Sequence, residues 1–405
     1  MNTDQTNTSR RRIITLTLLA LGVILLIILL FIFWGDADGD GNTTDSFFGA
    51  LFNKEEFSST EDPLRGGVII GEDGVKNEDE QTLYLISQDP VVGASLSSNG
   101  TRVRYFKQAG GNLYETEFMG TNETRISNVT IPGILDVSWT PSKTYAVISF
   151  YADGELRRLY AHYTGTSTVS SGFLPSDIQT IAASLTNDTI AYTTTTGGET
   201  ILFTAQPDNT AIRKIFTLPA PDFEVLWPSA NSIVLKQKSS SYASSILFTL
   251  NPSSKLLTRV LSEKIGLAVL WRPGDTDFLY MDTEREGTRG SLHISSLKEH
   301  TVVDMPFFTL PEKCTWAPAS KNTLFCAIPE SLPNGVILPD EWWQGMVSFN
   351  DGLWRINIVT GERQQLLPAR QFDAVNLFLS TDESFLFFTN KKDGSLWSLH
   401  IKPEA

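Results

Sequence analysis

Val137-Ser138-Trp139-Thr140-Pro141-Ser142-Lys143 decides the fold, because the chain keeps returning to this pattern. An apolar run ends in a bulky residue, and a turn of Pro, Ser, Asn, Asp or Gly follows. A second β-rich run comes next, here residues 145–150. The same layout recurs at Leu96-Ser97-Ser98-Asn99-Gly100, Leu185-Thr186-Asn187-Asp188, Trp227-Pro228-Ser229-Ala230-Asn231, Trp271-Arg272-Pro273-Gly274-Asp275, Trp316-Ala317-Pro318-Ala319-Ser320 and Leu379-Ser380-Thr381-Asp382-Glu383. With Leu96, Trp139, Leu185, Trp227, Trp271, Trp316 and Leu379 as anchors, the steps are 43, 46, 42, 44, 45 and 63 residues.

β-branched and aromatic residues bounded by turn formers dominate from residue 82 onward, and no stretch after 60 carries a helical period. Third strands are visible at 112–118 and 352–358, and a short charged fourth at 362–367, as suits an outer edge facing solvent. A period near 44 with about four short strands per repeat predicts a propeller. The expected architecture is all-β and seven-bladed over 81–402. Six or eight blades are the alternatives, because the third repeat lacks its tryptophan. The seventh repeat ends too early to hold an outer strand, and residues 82–88 are expected to supply it. That exchange would tie both ends of the ring into one blade.

The W-x-P-turn fragments at Trp139, Trp271 and Trp316 resemble those of TolB-type and WD-like bacterial propeller repeats, over roughly 82–401. The layout also resembles membrane-anchored bacterial propeller proteins. The resemblance implies fold and an envelope scaffold, with no particular chemistry. No glycine-histidine/Trp-Asp pair of the eukaryotic type is present.

Residues 13–34, IITLTLLALGVILLIILLFIFW, carry no charge and follow Arg10-Arg11-Arg12. At about 1.5 Å per residue the run is roughly 33 Å long, enough to span a bilayer core of about 30 Å. It has no polar face and no small-residue cleavage site. An uncleaved transmembrane helix is expected, contacting membrane lipid, with 1–12 in the cytoplasm and the remainder outside. Residues 35–80 are acidic and poor in aliphatics, and read as a flexible stalk. The apolar knot at 47–52 is expected to form a short helix on the membrane or to pack on the domain.

Net charge is −14, with 46 acids against 32 bases and no long basic run after Arg12, which argues against nucleic acid as a partner. His162, His293, His300 and His400 lack ligand spacing. Residues 36–42 begin like a calcium loop, but Phe47 stands where a bidentate Glu belongs, so they read as linker and no metal or other cofactor is expected. Cys314 and Cys326 are each six residues from a turn at Ser320, which sets them opposite one another as a disulfide or as two buried thiols.

The sixth repeat is longer by about 18 residues, within 329–351. Asp340, Glu341, Trp342, Trp343 and Phe349 in this loop suit either a partner contact or a lid whose tryptophans pack over the propeller face. No nucleophile elbow, zinc-protease motif, P-loop or dinucleotide fingerprint occurs, so no catalytic residue is assigned. The expectation is a non-enzymatic scaffold that binds a protein or envelope polymer outside the membrane. The alternative is a propeller-class glycosidase or lyase with carboxylates in its channel.

Overall fold

Turns of Pro, Ser, Asn and Gly between runs of β-branched residues leave each segment only its neighbours to pair with, and the structure is a succession of antiparallel meanders. It is a computed structural model that describes Val75–Lys76 and residues 82–401, except 128, 165 and 166. All of these lie in the unit Pro63–Ala405. The expectations for 13–34, the calcium-like stretch and the knot at 47–52 fall outside the described residues. Among the described residues no helix is long and apolar enough to cross a membrane.

The described residues form six sheets. The first repeat holds Val91–Leu96, Val103–Lys107, Asn112–Thr116 and Thr124–Arg125; the second runs from Ile134–Trp139 to Ser167–Phe173, and the third from Ile178–Ala183 to Arg213–Thr217. The fourth and fifth share a seven-stranded sheet, because the long strand Leu257–Trp271 closes one meander and opens the next. The sixth comprises Cys314–Trp316, Thr323–Pro329, Asp351–Asn357 and Arg363–Leu367. The last sheet holds Ala374–Leu379, Phe385–Asn390 and Leu396–His400, and its fourth strand is Thr82–Ser87, which precedes the first repeat. Tyr84 pairs with Ser398 and Leu85 with Trp397. Val75–Lys76, in the stretch read as stalk, adds a further strand beside Leu83.

First strands of successive repeats adjoin, as Val91–Leu96 does with Ile134–Trp139, and Ile178–Ala183 with Phe223–Ser229. The sheets are therefore arranged around an axis lined by these strands. Ser398 Oγ donates to the Phe118 carbonyl at 2.6 Å, and Phe118 packs on Phe385 and Phe387, joining the first repeat to the last.

Large apolar side chains fill the space between sheets. Phe106, Leu113, Trp139 and Ile148 share one such cluster, each contributing roughly 1.5–3 kcal/mol on burial. The anchor tryptophans do more than fill space. Trp139 Nε1 donates to the Gly93 carbonyl of the preceding repeat at 2.8 Å, and Trp316 Nε1 to that of Leu270 at 3.4 Å. Each indole thus pins two neighbouring sheets together.

The register corrects one anchor. Trp139 pairs with Ala146, Trp271 with Phe278 and Leu379 with Leu386; the equivalent pair in the third repeat is Ala183 with Ile190. The turn-closing bonds agree, with Ser184 N donating to Thr189 O where Thr140 N donates to Tyr145 O. Leu185 is therefore a turn residue, and Ala183 stands where other repeats place Trp or Leu. The steps become 43, 44, 44, 44, 45 and 63. With no indole intervening, the third and fourth first strands touch directly, and Leu185 N donates to Trp227 O at 2.9 Å.

Candidate functional site

The long loop of the sixth repeat lies across the end of the molecule at which the first strands begin. Its base closes through Glu330 N to Asn350 O at 2.9 Å. From there it reaches the fourth repeat, where the Asp340 carboxylate accepts from Ser240 Oγ at 3.0 Å and Ser241 N at 2.9 Å, and Ser241 Oγ donates to Leu338 O at 2.9 Å. It touches the fifth repeat at Gly287, whose positive φ of 66° and 2.5 Å gap between an added Cβ and Leu338 O admit no side chain. Lys391 Nζ from the seventh repeat donates to Trp342 O at 2.6 Å. The loop is a strap over four repeats. Pro333, Pro339 and the four-residue helix Asp340–Trp343 give it a fixed path.

Beneath it sits a charged cluster. Lys313, on the short 3-10 turn Pro311–Lys313 that leads into its sheet, has no exposed side-chain surface. Its Nζ is 2.7 Å from Asp351 Oδ2 and hydrogen-bonds to Asp373, both also fully enclosed. Asp373 further accepts from Trp342 Nε1 at 3.0 Å and Phe349 N at 3.2 Å, and Asp351 accepts from Ala374 N at 2.7 Å. Burial pushes the Asp351 carboxyl up to about 6, although the Lys313 ammonium pulls it the other way. Two ammonium groups lie over the Trp342 ring, Lys391 at 4.6 Å and Lys313 at 5.3 Å from its centroid.

Of the two expectations for the loop, partner contact or lid, this arrangement bears on the lid. Trp342 and Phe349 are 3% and 2% exposed and pack into the interior. The reason is the ion cluster, which needs donors and an apolar cover once removed from water. Asp340 and Glu341 are half-buried and fasten the strap, the latter by accepting from Ile337 N at 3.0 Å. Trp343 is half-buried at the rim.

At that rim is a second group of charges. Trp343 Nε1 donates to Glu312 Oε1 at 2.9 Å, Lys236 Nζ lies 2.7 Å from Glu224 Oε2, and the Lys236 ammonium is 5.8 Å from the Trp343 ring centre. Glu312 is exposed at this rim. Sequence reasoning missed Glu224, Lys236, Glu312, Lys313 and Asp373. Glu224 and Lys236 are cross-strand partners within the fourth repeat, Asp373 reaches Lys313 and Trp342 from the seventh, and no sequence motif marks any of them.

Cys314 and Cys326 are cross-strand partners joined by a disulfide, with Cα atoms 4.1 Å apart. Among the described residues, no group of three or more His, Cys, Asp or Glu is placed to hold a metal.

No family model matches the sequence, and no curated protein matches it. Among solved structures the chain is similar to the tricorn protease, at TM-score 0.51 and 9% identity over 79% of this chain and 34% of that one. It is also similar to an oligogalacturonate lyase in complex with manganese, at TM-score 0.50 and 11% identity over 80% of this chain and 91% of that one. TolB from Acinetobacter baumannii aligns at TM-score 0.43 and 11% identity, over 69% of this chain and 64% of that one. The chain thus spans about a third of the tricorn protease chain and just under two thirds of TolB. Likeness at such identity speaks to fold alone. Successive meanders, adjoining first strands and a last sheet shared by both ends of the chain make the folded unit an all-β propeller.

Proposed function

We propose that this is a seven-bladed propeller, held outside the cytoplasmic membrane by residues 13–34, that binds a protein or envelope polymer and performs no catalysis. Division of the seven-stranded sheet at Leu257–Trp271 into two meanders supports the count of seven. The uncharged run after three arginines supports the location.

The strap is the observation that carries the binding role. A rigid loop fastened to four repeats presents a fixed surface, and rigid loops on a β scaffold suit recognition. Its outward side chains include Leu332 and Met346, at 40% and 66% exposure. The buried charges below it are committed to holding it. In native membranes, cross-linking of the full chain should capture a partner that the Leu332→Asp/Met346→Asp variant loses. Undiminished capture by that variant would place the contact elsewhere.

One observation favours the alternative of a propeller-class glycosidase or lyase. Glu312 accepts from Trp343 at the same rim where Glu224 pairs with Lys236, and two carboxylates gathered at one rim suit acid–base chemistry. Turnover of an acidic polysaccharide by the wild type and its loss in Glu312→Gln would establish that role. Equal behaviour of the two would remove it.

A further inference from the structure

The sequence holds two Asn-Gly pairs, Asn99-Gly100 and Asn334-Gly335, and both asparagines are exposed in turns. Asparagine before glycine is chemically labile, because no Cβ shields the glycine nitrogen from the side-chain carbonyl beside it. The two pairs share that chemistry and differ in what surrounds them.

Asn99 is held. Its Oδ1 accepts from Ser97 Oγ at 2.7 Å, Thr101 Oγ1 at 2.9 Å and Thr101 N at 3.1 Å. Gly100 N donates to Ser97 O at 2.9 Å, and a Cβ on Gly100 would stand 3.0 Å from Thr381 Oγ1 of the seventh repeat. Asn334, at the tip of the strap, has no such frame. Among the described residues neither its side chain nor Gly335 N takes part in a hydrogen bond. The bond that closes their turn, Val336 N to Pro333 O, is 3.5 Å long and therefore weak. Nothing lies within 4 Å of the Cβ position of Gly335. The strap is fastened at Glu330 and again from Ile337 onward, which leaves the tip between them room to rearrange.

We infer that Asn334 is a site of spontaneous deamidation in the folded chain, and that Asn99 is protected from it. Gly335 N gives its proton to hydroxide and forms a bond to Asn334 Cγ. The Cγ–Nδ2 bond breaks, and Nδ2 leaves as ammonia after taking a proton from water. Water then opens the cyclic imide at either carbonyl. Cleavage of the new N–Cγ bond gives aspartate, and cleavage of the original peptide bond to Gly335 gives isoaspartate. Water is the co-reactant, and nothing is oxidised or reduced. Both products place a carboxylate two residues from the exposed Leu332, and isoaspartate adds a methylene to the main chain of the strap. The outer surface of the strap therefore changes with the age of the molecule. The modification does not rest on the binding role proposed for that surface.

The test ages the full chain in lipid nanodiscs at mildly alkaline pH. Peptides are then followed by mass, with the aspartate and isoaspartate forms separated by chromatography. The Asn334 peptide should convert to both forms about tenfold or more faster than the Asn99 peptide, the ratio set by the local opening that Asn99 requires. In denaturant, where the bonds on Asn99 are gone, the two rates should approach one another. Gly335→Ala should slow conversion at Asn334 in both folded and unfolded chain and leave Asn99 unchanged, because the methyl group shields the nitrogen. Equal rates at the two sites in the folded chain overturn the proposal. So does an Asn334 peptide that converts in denaturant and stays intact in the folded chain.

Discussion

Lys313 shows how much one side chain can hold in place. Its ammonium is enclosed between Asp351 and Asp373, and Asp373 in turn anchors Trp342 and the Phe349 backbone. A buried ion pair is weak evidence of net stabilisation, but removing one member leaves charge without a counterpart. Lys313→Ala should cost about 3–5 kcal/mol in denaturant unfolding. A loss below about 1 kcal/mol would mean that the cluster is hydrated or dispensable. The same cluster sets a pH dependence. Asp351 titrates near 6 when folded, against an ordinary value near 3.9 when unfolded, so the folded chain holds this proton more tightly. Its contribution is therefore fully present below about pH 4 and is lost as pH rises through about 6. The unfolding free energy of wild type minus that of Asp351→Asn should fall by about 2 kcal/mol between pH 4 and 7. A difference that stays flat or rises would contradict the assignment.

At the scale of elements, the strap behaves as a fastened part whose attachment can be cut. Asp340 is its far anchor, accepting two hydrogen bonds from Ser240 and Ser241. Asp340→Ala should leave the sheets folded and free the strap from the fourth repeat. Native-state proteolysis should then cut within 330–350 at least tenfold faster than in wild type, which corresponds to losing about 1.4 kcal/mol of local protection. Unchanged cleavage would show that Leu338, Trp342 and Lys391 hold the strap without Asp340. Gly287→Ala should act similarly from the fifth repeat, since the added methyl meets the Leu338 backbone. Proline and glycine content identified this segment as a loop, and its tryptophans raised the choice between contact and lid. Which of these faced inward was not legible, because the deciding partner, Asp373, lies 31 residues beyond Trp342 and in another sheet.

At the scale of the whole molecule, periodicity carried nearly everything. Steps near 44, the W-x-P turns and the early end of the seventh repeat led to meander sheets and to a last sheet completed from the N-terminal side. The structure pairs Thr82–Ser87 with Leu396–His400. The third repeat was misaligned by two residues because a bulky turn residue, Leu185, outweighed a strand alanine, and only the pairing of Ala183 with Ile190 reveals it. The charged groups at the rim were hidden for a related reason. The ring brings Trp343 and Glu312 of the sixth repeat to the Glu224–Lys236 pair of the fourth, and a linear pattern records only neighbours. Closure of that ring is the claim on which the rest depends, and its most direct test is a cross-link between the two ends of the chain. Leu85 and Trp397 are paired across the closing strands. In the folded Leu85→Cys/Trp397→Cys chain, mild oxidation followed by peptide mass analysis should show residues 85 and 397 linked within one molecule. Thiols that stay reduced in the folded chain, or that link only between molecules, would contradict the closed ring.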